Sequence, residues 1–152
     1  MKLNFMLIFL LISILSYSQI NSTFEKVQIK FGNENIAESQ TNENHFEIKK
    51  LNGTETIKFI YNSKKIVNII EVENTQPINT HRFHELAKEL NPNFKVTSSG
   101  NTKNLNFYYD SKNKFLNIKV YKTNKKSELN KIIFISDLKV ISEIIPNIIN
   151  WN

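Results

Sequence analysis

Apolar and polar side chains alternate in several short segments of the chain, which predicts a domain rich in β-strands. In residues 57–61 (IKFIY) and 105–109 (LNFYY), every second position is apolar. A period of two places those side chains on one face of a strand. Residues 115–121 (FLNIKVY) alternate in the same way. Residues 66–72 (IVNIIEV) are apolar on both faces and therefore predict a strand in the middle of a sheet.

Two further segments have the composition of strands, residues 27–31 (VQIKF) and 131–136 (KIIFIS). The residues between 32 and 44 are polar, and we expect them to form a loop without fixed order. Gly53 and Gly100 lie in segments where the chain must reverse, and glycine readily takes the positive φ that such turns require.

Two segments have the spacing of amphipathic helices, with apolar residues three and four positions apart. The stripes are Phe83, Leu86, Ala87 and Leu90 in the first helix, and Leu138, Ile141, Ser142 and Ile145 in the second. The candidate N-caps are Asn79 or Thr80, and Ser136 or Asp137. Pro92 and Pro146 are expected to end the helices, because proline has no amide hydrogen to donate.

The chain also resembles itself. Residues 46–64 align without a gap over residues 94–112, and the match includes Phe, Thr and Tyr positions and a shared Ser-Lys pair. We interpret this as one domain with two similar β-rich halves, residues 46–93 and 94–147, each closed by a helix. Chance similarity between β-rich segments is the alternative. The predicted fold class is α+β, with an antiparallel sheet and two helices packed on one face.

The N-terminus has the layout of a secretory signal peptide. Lys2 precedes an uncharged apolar run at residues 5–15, and a following Ser-Tyr-Ser places small side chains where a signal peptidase cuts. A membrane anchor is the alternative, but this run extends only about 16 Å as a helix, against roughly 30 Å of hydrocarbon. We therefore expect cleavage of residues 1–18. Residues 19–152 would form a single exported domain without a membrane span, in the periplasm or at the cell surface.

The absence of cysteine excludes several kinds of site. The chain has no cysteine, so it has no disulfide framework, no thiolate metal site and no nucleophilic thiol. The core alone must stabilise the exported domain, and a domain of about 130 residues buries enough surface to do so.

The mature chain is basic. Without the leader, which contains Lys2, 19 lysine and arginine residues stand against 14 aspartate and glutamate residues, a formal charge of +5. In an exported protein this charge favours an anionic envelope component as partner over nucleic acid. Arg82 is the single arginine, whereas recognition of bases and phosphates relies on bidentate arginine contacts. We expect no nucleic acid and no cofactor. We expect part of the excess of basic residues to reflect an AT-rich genome, since lysine, asparagine and isoleucine share AT-rich codons.

His81, His84 and Glu85 are the candidate metal ligands. On a helical wheel all three lie away from the core side, which is centred on Phe83. Lys88 lies between the two histidines, and its charge opposes a bound cation. The common zinc spacing H-E-x-x-H is not matched. The sequence favours a solvated helix face on which Glu85 pairs with Lys88 or with a protonated His81, and a metal site is the alternative.

Other catalytic patterns are weak. Glu71 and Glu73 share one face of a strand end and are the candidate acid and base. Asp110 in a hairpin turn and Asp137 at a helix start have structural roles that explain them. No serine lies in a G-x-S-x-G motif, and three glycines form no phosphate-binding loop. A metal-dependent or carboxylate-based hydrolase is thus the alternative to a non-enzymatic domain.

Two surfaces are candidates for binding. Lysines at two predicted hairpin tips and in a later loop could form basic rims that attract an anionic lipid head group or polymer, and a solvated edge is the alternative. These lysines are Lys64, Lys65, Lys112, Lys114, Lys125 and Lys126. The apolar tail either closes the core or contacts a protein partner or a second copy, as in a homodimer, through Ile148, Ile149 and Trp151.

The order of elements resembles a family of small secreted bacterial domains of unknown function. A helix of the F-x-x-L-A-K-x-L kind, FHELAKEL here, precedes three strands, and the chain closes with an isoleucine-rich strand and a DLxxIxxI helix, DLKVISEI here. The match covers about residues 66–146, and Ser136 stands where members often have glycine. The resemblance implies an exported α+β domain and supplies no site residues. Together these features predict a non-enzymatic binding or interaction module.

Overall fold

A computed structural model describes residues 19–32, 36–38, 45–49, 53–102, 104–121 and 128–144. Within these ranges the chain forms three helices, α1 (Phe24–Phe31), α2 (Thr80–Leu90) and α3 (Leu138–Ile144). It forms eight strands, β1 (Ile36–Glu38), β2 (His45–Lys49), β3 (Glu55–Tyr61), β4 (Val67–Asn74), β5 (Ser98–Asn101), β6 (Leu105–Asp110), β7 (Phe115–Tyr121) and β8 (Leu129–Ile135). The predicted α+β class is confirmed.

The strands form one antiparallel sheet in the order β1-β2-β3-β4-β8-β7-β6-β5. The last strand of the chain, β8, therefore lies between β4 and β7 and pairs with both. β4 lies inside the sheet, as its apolar sequence predicts. Two three-stranded meanders, β2 to β4 and β5 to β7, flank β8. Their origin in an internal repeat stays a prediction.

One face of the sheet, which we call the front face, packs against α1 and α2. Its buried strand residues include Ile57, Phe59, Ile70, Val72, Ile132 and Phe134. From α2, Phe83, Leu86 and Leu90 are buried in the same cluster and Ala87 packs against it. The core stripe predicted for this helix is confirmed.

The opposite face, the back face, has its own core. Its buried residues are Phe107, Tyr109, Leu116, Ile118 and Ile135. α3 packs here through Ile141, whereas Leu138 is 48% exposed. The prediction that two helices pack on one face is therefore wrong, because α2 and α3 lie on opposite faces. The reason is that β8 is apolar on both sides: Phe134 belongs to the front core and the adjacent Ile135 to the back core.

The predicted strand at residues 27–31 is instead part of α1. Val27, Ile29 and Phe31 alternate as in a strand, but Phe24, Val27 and Phe31 also follow helical spacing. The helix buries Val27 completely, packs the two phenylalanines against the front core and leaves Ile29 84% exposed. The helical period prevails because it places three apolar side chains on the front core.

Two boundaries also differ from expectation. Residues 36–38, within the segment expected to be a loop, form β1. β5 begins at Ser98, which is later than expected from the alignment of residues 46–64 over residues 94–112. The amide of Lys95 donates to the Asp110 side chain at 2.8 Å, so this part of the chain is held by a side chain rather than by a strand.

Side-chain caps fix the starts of α2 and α3. Asn79 Oδ1 accepts a hydrogen bond from the amide of Arg82 at 2.7 Å. Asp137 Oδ1 accepts from the amide of Lys139 at 2.9 Å. Each acceptor satisfies an amide that has no partner within its helix. Asn79 and Asp137 are thus the N-caps, each one of the two residues predicted for its helix.

The single arginine attaches α2 to the sheet. Arg82 Nη2 donates to Glu55 Oε1 at 2.8 Å, and Nε donates to Oε2 at 3.2 Å. The Glu55 side chain is 4% exposed. The guanidinium therefore binds a buried carboxylate of β3 with two parallel hydrogen bonds and has a structural role.

The predicted signal peptide, residues 1–18, lies outside the described residues. In the part of the chain that the structure does describe, no helix has the length and apolar character needed to cross a membrane.

Candidate functional site

The β3–β4 and β6–β7 turns lie at the same end of the sheet. Strand directions alternate across β3, β4, β8, β7 and β6, so β3 and β6 run in the same direction and end together. Three strand spacings, roughly 14 Å, separate the two turns. The structure thus brings together four of the predicted binding lysines, all of them exposed: Lys64, Lys65, Lys112 and Lys114. We call this surface the lysine end.

Both turns are built in the same way. Asn62 Oδ1 accepts from the amide of the lysine two residues later at 2.9 Å, and Asp110 Oδ1 accepts from the corresponding amide at 3.1 Å. Each turn then closes on a lysine with left-handed backbone, Lys65 at φ 57° and Lys114 at φ 60°. Backbone and acceptor side chain therefore hold each turn, and the lysine side chains are left exposed.

Asp110 is the structural centre of the second turn. Its side chain is fully buried. Oδ2 accepts from the Lys95 amide and from Asn113 Nδ2, each at 2.8 Å, and Oδ1 accepts from the amides of Lys112 and Asn113. Burial alone would raise the pKa of Asp110, but these hydrogen bonds outweigh it and lower the pKa. The carboxylate stabilises the turn and has no free lone pair directed at solvent.

Further charges surround the lysine end. Lys95 precedes β5 beside the second turn, and Lys139 lies in the first turn of α3 after β8; both are exposed. Two acidic residues are near. Hydrogen bonds, the largest from its own amide, and the charge of Lys65 lower the pKa of Glu25. Asp137 caps α3 and accepts from an asparagine side chain at 3.0 Å. Within the described part of the chain, lysines therefore outnumber carboxylates at this end of the sheet.

The candidate metal ligands lie on the solvent side of α2. His81 Nε2 is 3.3 Å from Glu85 Oε1, and their side chains are 84% and 52% exposed. Glu85 also contacts Arg82 at 3.6 Å. The His84 ring packs edge-on against the Phe83 ring, with 5.5 Å between centroids. Within the described ranges, no group of three or more His, Cys, Asp or Glu side chains could hold a metal ion.

The candidate acid and base on β4 share a lysine. Lys131 Nζ lies 3.4 Å from Glu71 Oε2 and 3.8 Å from Glu73 Oε2. Lys131 is in β8, the neighbouring strand, so the three side chains form a cross-strand ion-pair group on the back face. These ion pairs give both glutamates a structural role that does not require a catalytic one.

A second cluster, which the sequence patterns did not identify, lies on the front face beside α2. Its members are Phe83, Asn106, Tyr108, Asn117, Lys119 and Tyr121, and we call it the aromatic–amide cluster. In the pairing of β6 with β7, Tyr108 lies opposite Asn117 and Asn106 lies opposite Lys119. Antiparallel partners share a face. The cluster therefore replaces, on this part of the front face, the apolar side chains found under α2 elsewhere.

Lys119 and the aromatic rings form the outer part of the cluster. Lys119 Nζ lies 3.9 Å from the centroid of the Phe83 ring and 5.0 Å from that of Tyr108, which are 6.2 Å apart. Asn106 Nδ2 donates to the hydroxyl oxygen of Tyr121 at 3.3 Å. Burial and the nearby Tyr108 raise the pKa of Tyr121, which keeps its hydroxyl protonated. These side chains, apart from Phe83, are half-buried and reach the surface.

Asn117 forms the inner part of the cluster. It is 1% exposed, and neither amide atom has a hydrogen-bond partner in the described part of the chain. The sequence did contain an indication that Asn117 is buried. Phe115 and Tyr121 lie on the same face of β7, so an asparagine between them is expected to be surrounded by apolar side chains. Alternation alone placed Asn117 on the polar side of the strand and hid its burial.

The remaining candidate residues lie outside the described residues. They are Lys125 and Lys126 of the later loop, and Ile148, Ile149 and Trp151 of the apolar tail. Their roles stay predictions.

Solved structures with a similar fold include two bacterial proteins. No family model and no curated protein matches the sequence. A DUF4309 family protein from Bacillus subtilis aligns with a TM-score of 0.47 and 16% identity, over 78% of this chain and 81% of the other. A cysteine-rich secretory protein from Staphylococcus aureus aligns with a TM-score of 0.44 and 9% identity, over 84% of this chain and 48% of the other. The chain thus spans about half the length of the second protein. Likenesses at these values assign no function, and the resemblance to a secreted family stays a prediction.

Proposed function

We propose that the protein is an exported, non-enzymatic domain that binds an anionic surface of the cell envelope through its lysine end. One observation carries the proposal: two separate turns place four exposed lysines at the same end of one sheet. The lysines of both turns are exposed, which suits a flat partner such as a layer of anionic lipid head groups. Lysine ammonium groups act as point charges toward phosphates.

We also propose that the two turns are equivalent parts of an internal repeat. The shared Asx hydrogen bond supports this, because Asn62 and Asp110 occupy aligned positions of the two segments. The left-handed lysines, Lys65 and Lys114, lie just beyond the aligned residues. Two similar turns present twice the charge that one provides, and attraction to an anionic surface grows with each lysine that approaches it.

The non-enzymatic part of the proposal is supported by the engagement of each candidate carboxylate. Asp110 and Asp137 accept structural hydrogen bonds, and Glu71 and Glu73 contact Lys131. Export is supported by the signal-peptide layout.

Removing the charge of either turn is expected to weaken binding to anionic vesicles about tenfold. The two variants are Lys64→Gln with Lys65→Gln, and Lys112→Gln with Lys114→Gln. Both turns should survive, because backbone amides and the side chains of Asn62 and Asp110 hold them. The measurement is co-sedimentation of the mature chain with vesicles of phosphatidylcholine containing phosphatidylglycerol, at low salt.

A matched control removes two lysines elsewhere, with Lys30→Gln and Lys58→Gln. This variant has the same net charge as each turn variant and should bind within about twofold of the unmodified chain. Raising the salt should weaken binding of the unmodified chain, because exposed charges are screened. Equal losses in the control and in the turn variants would show that only net charge matters and would contradict the proposal.

A further inference from the structure

We infer that the aromatic–amide cluster is a second binding site, and that it takes a small carboxylate that also carries an amide group. This inference uses residues other than the lysine end and does not depend on the proposed function. Four observations support it: the buried Asn117 side chain, the position of Lys119, the two aromatic rings and the partial exposure of the outer side chains.

The state of Asn117 points to an amide in the ligand. Its Oδ1 and Nδ2 are buried and have no partner among the described residues, although buried polar groups in folded proteins are hydrogen-bonded as a rule. Its cross-strand neighbours are Tyr108 and Phe134. An asparagine presents one acceptor and one donor side by side. Another amide also carries an acceptor and a donor and can therefore bond at least one of the two atoms.

The position of Lys119 points to a negative group in the ligand. Its ammonium lies over the rings of Phe83 and Tyr108, and no carboxylate pairs with it in the described ranges. A half-buried ammonium gains more from a charge-assisted hydrogen bond to a carboxylate than from a ring face. Lys119 follows Asn117 by two residues on the same face of β7, a distance of roughly 7 Å along the strand. The amide and the carboxylate must therefore lie close together in the ligand.

The aromatic rings and the surface complete the site. When the ammonium moves onto a carboxylate, the faces of Phe83 and Tyr108 become free to contact the apolar face of a ring or chain. Asn106, Tyr108 and Lys119 are half-buried, whereas Asn117 is buried. A ligand that contacts both Lys119 and Asn117 must therefore extend from the half-buried part of the cluster to its buried part.

Three related probes test the two recognition elements. N-acetylmuramic acid has an acetamido group and a nearby carboxylate, N-acetylglucosamine lacks the carboxylate, and muramic acid lacks the acetyl group. In calorimetric titrations of the mature chain, we expect saturable binding of N-acetylmuramic acid and at least tenfold weaker binding of each other probe. Equal binding of all three, or no saturable binding of N-acetylmuramic acid, would overturn the inference.

Two substitutions assign the preferences to residues. Lys119→Met should abolish the preference for the carboxylate and keep the preference for the acetyl group. Asn117→Leu should do the reverse. The matched control is Lys30→Met, since Lys30 Nζ also lies over a ring, 5.5 Å from the centroid of Phe31, in α1. It should leave both preferences unchanged. If Lys119→Met retained the carboxylate preference, or Lys30→Met lost it, the assignment would be wrong. Circular dichroism confirms that each variant is folded, and Lys119→Met tests the inference even if Asn117→Leu does not fold.

Discussion

Replacing Asp110 by alanine is expected to lower the free energy of unfolding by about 4 kcal/mol. The side chain is fully buried and accepts four hydrogen bonds, from three backbone amides and from Asn113 Nδ2. Alanine leaves these donors without their acceptor and detaches the segment at Lys95 from the second turn. Urea denaturation followed by circular dichroism measures the loss. The control Ser111→Ala, in the exposed turn itself, should change stability by less than about 0.5 kcal/mol.

The effect of this substitution should depend on pH. The folded-state pKa of Asp110 is lowered, so its stabilisation is fully present above the unfolded-state pKa of about 3.9. It is lost as the pH falls from that value through the lower folded-state pKa, because in this range protons bind the unfolded chain more than the folded protein. The difference in stability between the unmodified chain and Asp110→Ala should therefore be constant from pH 7 to 5 and decrease below about pH 4. A difference that stayed constant down to pH 2 would rule out a charged Asp110 as the source.

Arg82→Met is expected to lower the free energy of unfolding by about 3 kcal/mol. The substitution removes both guanidinium hydrogen bonds from Glu55, whose side chain is 4% exposed. These two parallel bonds link α2 to β3, and lysine cannot reproduce them. We therefore expect Arg82→Lys to be nearly as destabilising. Equilibrium denaturation at neutral pH gives both values.

Two controls separate the buried contact from the exposed one. Glu85 lies 3.6 Å from Arg82 but is 52% exposed, so Glu85→Gln should cost less than about 0.5 kcal/mol. Glu55→Leu combined with Arg82→Met should recover part of the loss, because no buried carboxylate remains. If Arg82→Met and Glu85→Gln lowered the free energy of unfolding equally, the two hydrogen bonds to Glu55 would not be the reason for the loss of stability.

The sequence patterns predicted the elements whose periodicity admits one interpretation. The alternation in β3, β6 and β7 identified strands, and the stripe of Phe83, Leu86 and Leu90 identified the buried side of α2. Local side-chain chemistry was also informative, since Asn79 and Asp137 are acceptors at the positions where helices begin. These features depend on residues that are near each other in the chain, so they can be predicted from a single sequence.

The errors arose where two patterns overlapped or where the answer depended on distant residues. Val27 and Phe31 fit both periods, and only contact with the front core decides for a helix. The position of β8 between β4 and β7 is not encoded in any local pattern. Because β8 is apolar on both sides, its sequence does not indicate which helix covers which face. The burial of Asn117 was missed for a similar reason, because it depends on packing that no local pattern encodes.

The lysine end was anticipated only in part. Hairpin turns at Asn62 and Asp110 could be predicted, and with them the exposure of the lysines that follow. Their common location could not, because it depends on how many strands separate β3 from β6 and in which directions those strands run. A single added or missing strand between the hairpins would have placed the two turns at opposite ends of the sheet.

The most direct test of the account is vesicle binding by two four-residue variants at the lysine end. In one, Lys64, Lys65, Lys112 and Lys114 are all replaced by glutamine; in the other, the same four are replaced by arginine. If these lysines bind an anionic surface through charge, the glutamine variant should bind vesicles containing phosphatidylglycerol about a hundredfold more weakly than the unmodified chain, and the arginine variant should bind as well as that chain. Binding by the glutamine variant that matches the unmodified chain would contradict the account.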